Sequence, residues 1–415
     1  MPVFPEKLLS LASAAEKDLA GRFGELERTA FLCQCRVQDA FSSERVSAQC
    51  LDSTTGYGYN DLGRETLDRV FARVFETEAA FARHSLVSGT HALTVALFGL
   101  LRPGDELLCA TGWAYDTLDR VIGISGGYGE GSLADFGVKY VGVDLTPDGE
   151  PDEKAILSAI TPATKVVYFQ KSRGYSERKT VPNELIGKLC RAAKEKKNDV
   201  FTVVDNCYGE FCEEHEPTYY GADLCVGSLI KNPGGGVAKS GGYLAGTSKA
   251  IELCSYRLTC PGTGLECGAT LSQNADLFRG LYLAPHVVCQ ALRSALFASE
   301  LFTLLGFEPL PKPDEKRFDI IQAIRLGSKE RLEAFCRGIQ AGSPVDSHVR
   351  PEFWEMPGYE DQVIMAAGTF VQGASIELSA DAPLREPFTV FMQGGVTYES
   401  AKLGILSAAR ELTAL

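Results

Sequence analysis

Three short stretches of this 415-residue chain hold residue types that could do chemistry together. Lys231 ends the apolar run 223–230 and is followed by Asn232-Pro233-Gly234-Gly235. A lysine whose surroundings lower its pKa can form a Schiff base with an aldehyde, although a lysine at a turn can equally reach solvent. Asp205 follows the apolar run 201–204. A carboxylate there can keep a ligand nitrogen protonated, or can serve only to form a turn. Ser88-Gly89-Thr90-His91 opens a predicted helix, where backbone N–H groups and two hydroxyls can hold a phosphate, and where the same residues are also an ordinary cap. The ordered combination of phosphate turn, strand-end aspartate and strand-end lysine points to a bound cofactor more strongly than any one of the three.

Competing chemistries lack their companions. Ser228 and Lys231 form a Ser-x-x-Lys string, but the Ser-Asp-Asn and Lys-Thr-Gly elements of serine acyl-transfer enzymes are missing. There is no Gly-Lys-Ser/Thr phosphate loop and no GxGxxG turn for a dinucleotide. The five histidines, at 84, 91, 215, 286 and 348, show no HExxH spacing.

The elements that must position these residues follow from hydrophobic periodicity. Residues 1–48 read as helical, and 56–65 (GYGYNDLGRE) break the pattern with glycines and aromatics. From there helices and strands alternate: a helix over 65–76, a second from 88 onward, a strand at 105–110, a helix at 115–123, a strand at 138–144, a helix at 152–160, a strand at 165–170, a helix at 184–196 and a strand at 201–206. Two further strands, within 223–231 and 241–246, flank the glycine-rich turn after Lys231. Short apolar strands separated by amphipathic helices predict an α/β architecture, a mostly parallel sheet covered by helices, with ligands bound at the strands' carboxyl ends. A long helix over 286–305 precedes a change of rhythm, with sheet at 317–327, 363–370, 374–380 and 388–393 and a last helix capped by Thr397. The expected division is an N-terminal helical segment (1–48), a large cofactor-binding domain (49–300) and a smaller C-terminal α+β domain (301–415).

Bulk properties narrow the function. At 45% apolar composition the chain can bury a large core, and 41 basic against 54 acidic side chains give a net charge of -13, which disfavours nucleic acid. The first residues lack the pattern of a signal peptide, and no stretch reads as long and apolar enough to span a membrane, so the expected location is the cytoplasm. Thirteen scattered cysteines without repeated CxxC pairs suggest neither a disulfide framework nor a zinc site, and most are expected to be small buried hydrophobes.

Ser88-Gly89-Thr90-His91-Ala92, Gln170-Lys171-Ser172-Arg173-Gly174-Tyr175, Val204-Asp205-Asn206-Cys207-Tyr208-Gly209-Glu210, the run from Gly227 to Gly235 and Phe391-Met392-Gln393-Gly394-Gly395 resemble the bacterial methionine gamma-lyase-related or aluminium-resistance proteins. The resemblance covers nearly the whole chain. It implies a fold type I enzyme using pyridoxal 5'-phosphate, akin to the cystathionine and methionine lyases. Lys231 would then carry the cofactor, Asp205 would partner its pyridine nitrogen, and Ser88, Gly89, Thr90 and Ser228 would hold its phosphate. Tyr115 would stack on the ring, with Trp113 as the alternative. Tyr57 or Tyr59, and Arg64, would reach the phosphate of a neighbouring subunit, which implies a homodimer or homotetramer with shared sites, although the intervening spacing is longer here. A substrate carboxylate should meet the fork of an arginine, Arg385 first and Arg173 second, unless these make structural ion pairs. Cys207 reads as packing first and as a substrate contact second.

The implied reaction is beta- or gamma-elimination on a sulfur-containing L-amino acid of the cystathionine, cysteine, homocysteine or methionine type. Lys231 would remove the α-proton, and Tyr115 would stack, protonate the departing sulfur, or do both. Aminotransfer or another amino-acid transformation starts from the same residues. A cofactor-binding protein with a regulatory or structural role is the non-enzymatic alternative.

Overall fold

The computed structural model describes residues 4–126, 129–356 and 359–415. Its strands are β1 Ala79–Arg83, β2 Glu106–Cys109, β3 Lys139–Gly142, β4 Thr164–Gln170, β5 Phe201–Asp205, β6 Leu224–Ser228, β7 Gly242–Gly246, β8 Glu308–Leu310, β9 Ile321–Arg325, β10 Val363–Ala366, β11 Ser379–Pro383 and β12 Thr389–Gln393. The first seven form one sheet in the order β1-β7-β6-β5-β4-β2-β3. Pairing is parallel from β3 through β6, while β7 runs antiparallel to both β6 and β1. The expected parallel sheet is therefore mixed at one edge.

Alternation along each strand divides two apolar layers. Leu108, Val167, Phe169, Val204 and Ala245 face helices Leu62–Val74, Asn183–Lys196 and the first half of Asn274–Leu304. Leu107, Val166, Tyr168, Val203 and Leu244 face helices Gly89–Leu100 and Ser248–Leu258. Since both faces are covered, the strands read as continuous apolar runs, which made most of them visible in the sequence. The chain order reverses between β2 and β4, which lie side by side with β3 outside β2. A crevice is expected beyond the carboxyl ends of strands at such a reversal.

The smaller C-terminal domain is β-rich: β8 to β12 form an antiparallel sheet in the order β10-β11-β12-β9-β8. Helices Lys329–Ala341 and Tyr398–Thr413 cover it, and Thr397 caps the latter by accepting from the Ser400 N–H, as its sequence predicts. Helix Glu6–Asp18 joins this cluster through Leu8, Ala12 and Ala15.

Several elements differ from expectation. Strand β1 and helices Ser248–Leu258 and Lys329–Ala341 were not anticipated, and the strand expected at 374–380 instead begins at Ser379. The long helix starts at Asn274, not near 286, and carries Pro285 inside it. By length and composition this helix could cross a membrane, contrary to the expectation that no stretch could. However, 78% of its most apolar window is buried, because it forms the shared core beneath both sheets.

All thirteen cysteines are free thiols, and only Cys35, Cys260 and Cys267 are not buried.

Candidate active site

The crevice at the strand ends is a cavity of about 220 Å³. It gathers Ser88, Gly89, Thr90, Tyr115, Asp205, Ser228 and Lys231 from four separate stretches of sequence. Ser88 caps helix Gly89–Leu100, accepting from the His91 N–H at 3.0 Å. The N–H groups of Gly89 and Thr90, two of the helix's unpaired donors, have no protein acceptor among the described residues. A Cβ on Gly89 would lie 3.2 Å from Cys207 Sγ and 3.3 Å from Ser228 Cβ, so glycine lets the helix start lie close against the ends of β5 and β6. Thr90 Oγ1 shares a 2.7 Å hydrogen bond with Thr117 Oγ1.

Asp205 closes β5 and is buried. Its carboxylate accepts from the Tyr168 hydroxyl at 3.2 Å and from the Cys207 N–H at 3.1 Å, which fixes its direction. Lys231 lies not on β6 but in the turn after it, three residues beyond Ser228, and caps the short helix Asn232–Gly234. Its Nζ sits 3.9 Å from the centre of the Tyr208 ring. Burial opposes the ammonium, but Cys207, Tyr208 and Asp205 outweigh it and raise the lysine's proton affinity.

Tyr115 follows β2 and precedes helix Asp116–Ile122. Its hydroxyl meets the Tyr359 hydroxyl at 2.9 Å, and its ring packs edge-on to Tyr175 at 6.0 Å. Burial first, then the neighbouring phenols, hold it firmly protonated. Gly174, at φ +60°, leaves room for this ring, since a Cβ there would come within 3.0 Å of it. Trp113 is exposed and does not line the cavity.

The small domain supplies the opposite wall, including Met365, Ser375, Ser379, Asp381 and Gln393. Burial pushes the Asp381 carboxyl up to about 6, against the lowering effect of Gln393, Tyr175 and Lys231. Tyr175, Tyr208, Tyr359, Asp381 and Gln393 were not singled out by sequence reasoning. Tyr175, Tyr208 and Gln393 do fall within the quoted motifs, whereas Tyr359 carries no local signal.

Four predicted residues stand elsewhere. Arg385 borders an adjacent cavity that shares Tyr175 and Tyr359 with the first; it pairs with Asp361 at 3.0 Å and donates to the Tyr175 carbonyl at 2.7 Å. Arg173 is buried outside the cavity, its N–H donating to Asp319 at 3.2 Å. Arg64 is buried and donates to the carbonyls of Gly58, Gly268 and Glu266 at 2.6, 2.8 and 3.3 Å. Tyr59 stacks on Tyr57 with ring centres 5.6 Å apart, and both are exposed.

This sheet, with a phosphate-sized helix start, a strand-end carboxylate and a turn lysine converging on one crevice, defines the fold type I pyridoxal-phosphate enzymes. The methionine gamma-lyase family model matches residues 8–413, and the chain belongs to that family. It is 49% identical to the protein YnbB of Bacillus subtilis (strain 168) over 407 residues, 98% of this chain and 97% of that one. The crystal structure of a carbon-sulfur lyase involved in aluminum resistance from Clostridium novyi NT superposes with a TM-score of 0.95 at 48% identity, covering 98% of this chain and 96% of that one. L-methionine gamma-lyase of Pseudomonas putida is 30% identical over 247 residues, 58% of this chain and 55% of its own length. The protein is a pyridoxal-phosphate-dependent carbon-sulfur lyase acting on a sulfur amino acid.

Proposed function

We propose that the chain eliminates a sulfur leaving group from Cβ or Cγ of an L-amino acid, with Lys231 as the base. The convergence of Lys231, Asp205, Ser88, Gly89, Thr90 and Tyr115 on one cavity carries this reading. The residues fit the cofactor. Among the described residues, the Gly89 and Thr90 N–H groups at a helix start have no acceptor, and the cavity-lining Gln170 Oε1 and Ser375 Oγ are buried without partners. When bound, pyridoxal phosphate supplies an electron sink for charge developing at the substrate's Cα.

The protein's part is positioning and proton transfer. Ser88, Gly89, Thr90 and Ser228 would hold the phosphate. Asp205, steadied by Tyr168 and the Cys207 N–H, keeps the pyridine nitrogen protonated. Lys231 Nζ takes the proton from Cα and can return it elsewhere on the substrate. Tyr115, which would stack on the cofactor ring and is hydrogen-bonded to Tyr359, gives its proton to the departing sulfur. Arg385, in the adjacent cavity beyond Tyr175 and Tyr359, is the first choice to meet the substrate carboxylate and would have to give up Asp361 to do so; buried Arg173 is the second choice.

The reading includes a cytoplasmic homodimer or homotetramer with shared sites. The exposed stacked pair Tyr57 and Tyr59 supports an aromatic contribution to a neighbour. Arg64, engaged with three carbonyls of its own chain, positions that loop.

The test is an absorption spectrum of the purified protein, repeated with L-cysteine, L-cystathionine, L-homocysteine and L-methionine, with keto acid followed in the same samples. A visible band lost in Lys231→Ala, with pyruvate or 2-oxobutyrate released by the wild type, is the expected result and separates Cβ from Cγ chemistry. A band without keto acid would overturn elimination.

A further inference from the structure

The charges lining the cavity are few. Among the described residues they are Asp205, Lys231 and Asp381, with no arginine. The first two belong to the large-sheet wall and, on the reading above, are committed to the cofactor. Asp381 stands on the opposite wall, on β11 of the small sheet, and is the one carboxylate left for the substrate.

This acid is built in. Gln393 Nε2, from neighbouring β12, donates to Asp381 Oδ2 and to Ser379 Oγ, both at 2.9 Å. Ser379 and Asp381 are two residues apart on one strand, so they face the same side of the sheet. The Tyr175 phenol, which lines the same cavity, also favours the charged carboxylate. An ionised carboxylate has about four acceptor positions, so the Gln393 donor leaves room for others. A far-end carboxylate with no ammonium beside it would be repelled by Asp381, and a neutral thioether would leave a buried charge without its partner. A cationic donor satisfies it.

We propose that Asp381 is a specificity residue that binds an ammonium group at the far end of the substrate's sulfur side chain. It rests on the carbon-sulfur lyase reading and names its substrate class: sulfur amino acids that carry a second amino group beyond the sulfur, in preference to neutral thioethers. The ledge of Ser379, Asp381 and Gln393 then reads the leaving half of the molecule, while the large-sheet wall handles the half that reacts.

A matched pair of compounds tests this. L-Cystathionine and S-(3-carboxypropyl)-L-cysteine differ only in the second amino group. Each is titrated into wild-type holoenzyme and Asp381→Asn, with the change in cofactor absorption giving an apparent Kd and keto-acid release giving kcat and KM. The expected result is a wild-type preference for cystathionine of about tenfold or more, the scale of one charge-assisted hydrogen bond. In Asp381→Asn that ratio falls towards one, through weaker binding of cystathionine. Equal affinities in the wild type, or an undiminished ratio in Asp381→Asn, would overturn the proposal, and the wild-type comparison stands even if the variant does not fold. Absence of keto acid from both compounds would count against the lyase reading instead, because the affinity ratio judges Asp381 without turnover.

Discussion

Replacing Gly280 with alanine should disturb the lysine turn from behind, without touching the cavity. Gly280 lies in helix Asn274–Leu304, and the turn Lys231-Asn232-Pro233-Gly234 rests directly on it. A Cβ at 280 would meet the Gly234 carbonyl oxygen at 2.4 Å and the Gly234 carbonyl carbon at 2.9 Å. Both are backbone atoms, so no side chain can swing aside. Restoring ordinary contact at 3.4 Å requires helix and turn to part by about 1 Å. Overpacking of this kind costs about 1–3 kcal/mol, and the better helix propensity of alanine offsets about 1 kcal/mol of that. The expected net destabilisation is therefore about 0–2 kcal/mol. Activity should suffer more, since a misplacement of about 1 Å at a reacting group can cost about a hundredfold in rate. Thermal unfolding and kcat/KM are measured together for Gly280→Ala and for Gly24→Ala, a helical position with nothing within 4 Å of the added Cβ. Gly24→Ala should gain about 0.5–1 kcal/mol and keep full activity. If Gly280→Ala matches it in both stability and rate, the argument from the turn's seating is wrong.

Burial raises the Asp381 carboxyl to about 6, so it is charged above that pH and neutral below. With Gln393, Tyr175 and Lys231 as the groups acting on it, the preference for cystathionine over S-(3-carboxypropyl)-L-cysteine should be full near pH 8 and shrink as pH falls through about 6. A ratio constant from pH 5 to 8 would contradict this. Tyr115→Phe removes the hydroxyl that meets Tyr359 at 2.9 Å but keeps the ring. It should retain the visible band and lose about 10²-fold or more in kcat, whereas an unchanged kcat would limit Tyr115 to stacking. Glu210 is buried, and that burial raises its carboxyl to about 8, with its Oε2 left unpartnered. Its folded value lies above the unfolded one, so it weakens the fold increasingly as pH rises from about 4.3 towards 8. Glu210→Gln should therefore raise Tm more at pH 8 than at pH 5, and an equal shift at both would refute the burial argument.

The central strands were legible because burial on both faces turns them into unbroken apolar runs. Strand β1, Ala79 to Arg83, was not: three of its five residues are alanine, which favours helix as much as sheet. It exists because it pairs with β7, a contact spanning more than 150 residues of sequence. The cofactor side of the site was readable since Ser88, Asp205 and Lys231 each mark the end of a recognisable element. The substrate side was not. Ile376, Leu378 and Ala380 alternate like a strand, yet the strand begins only at Ser379. That slip left Asp381 outside any expected element and hid the face it shares with Ser379. Arg385 and Arg173 were chosen for guanidinium chemistry alone, and only the tertiary fold shows that both lie beyond the cavity wall.

Helix Glu6–Asp18 is synthesised about 380 residues before helix Tyr398–Thr413, yet both belong to the same core. Leu8, Ala12 and Ala15 are buried with Leu296, Ile405 and Leu412, and Glu16 accepts from the Tyr398 hydroxyl at 2.9 Å and Lys402 at 2.6 Å. During translation that apolar face can be covered in part by helix Asn274–Leu304, and is completed only when helix Tyr398–Thr413 leaves the ribosome. At about 5–20 residues per second, the wait lasts about 20–80 s. Between the making of these two helices the chain therefore carries an incompletely covered amphipathic helix, and a ribosome stalled in that interval would be expected to expose it to chaperones.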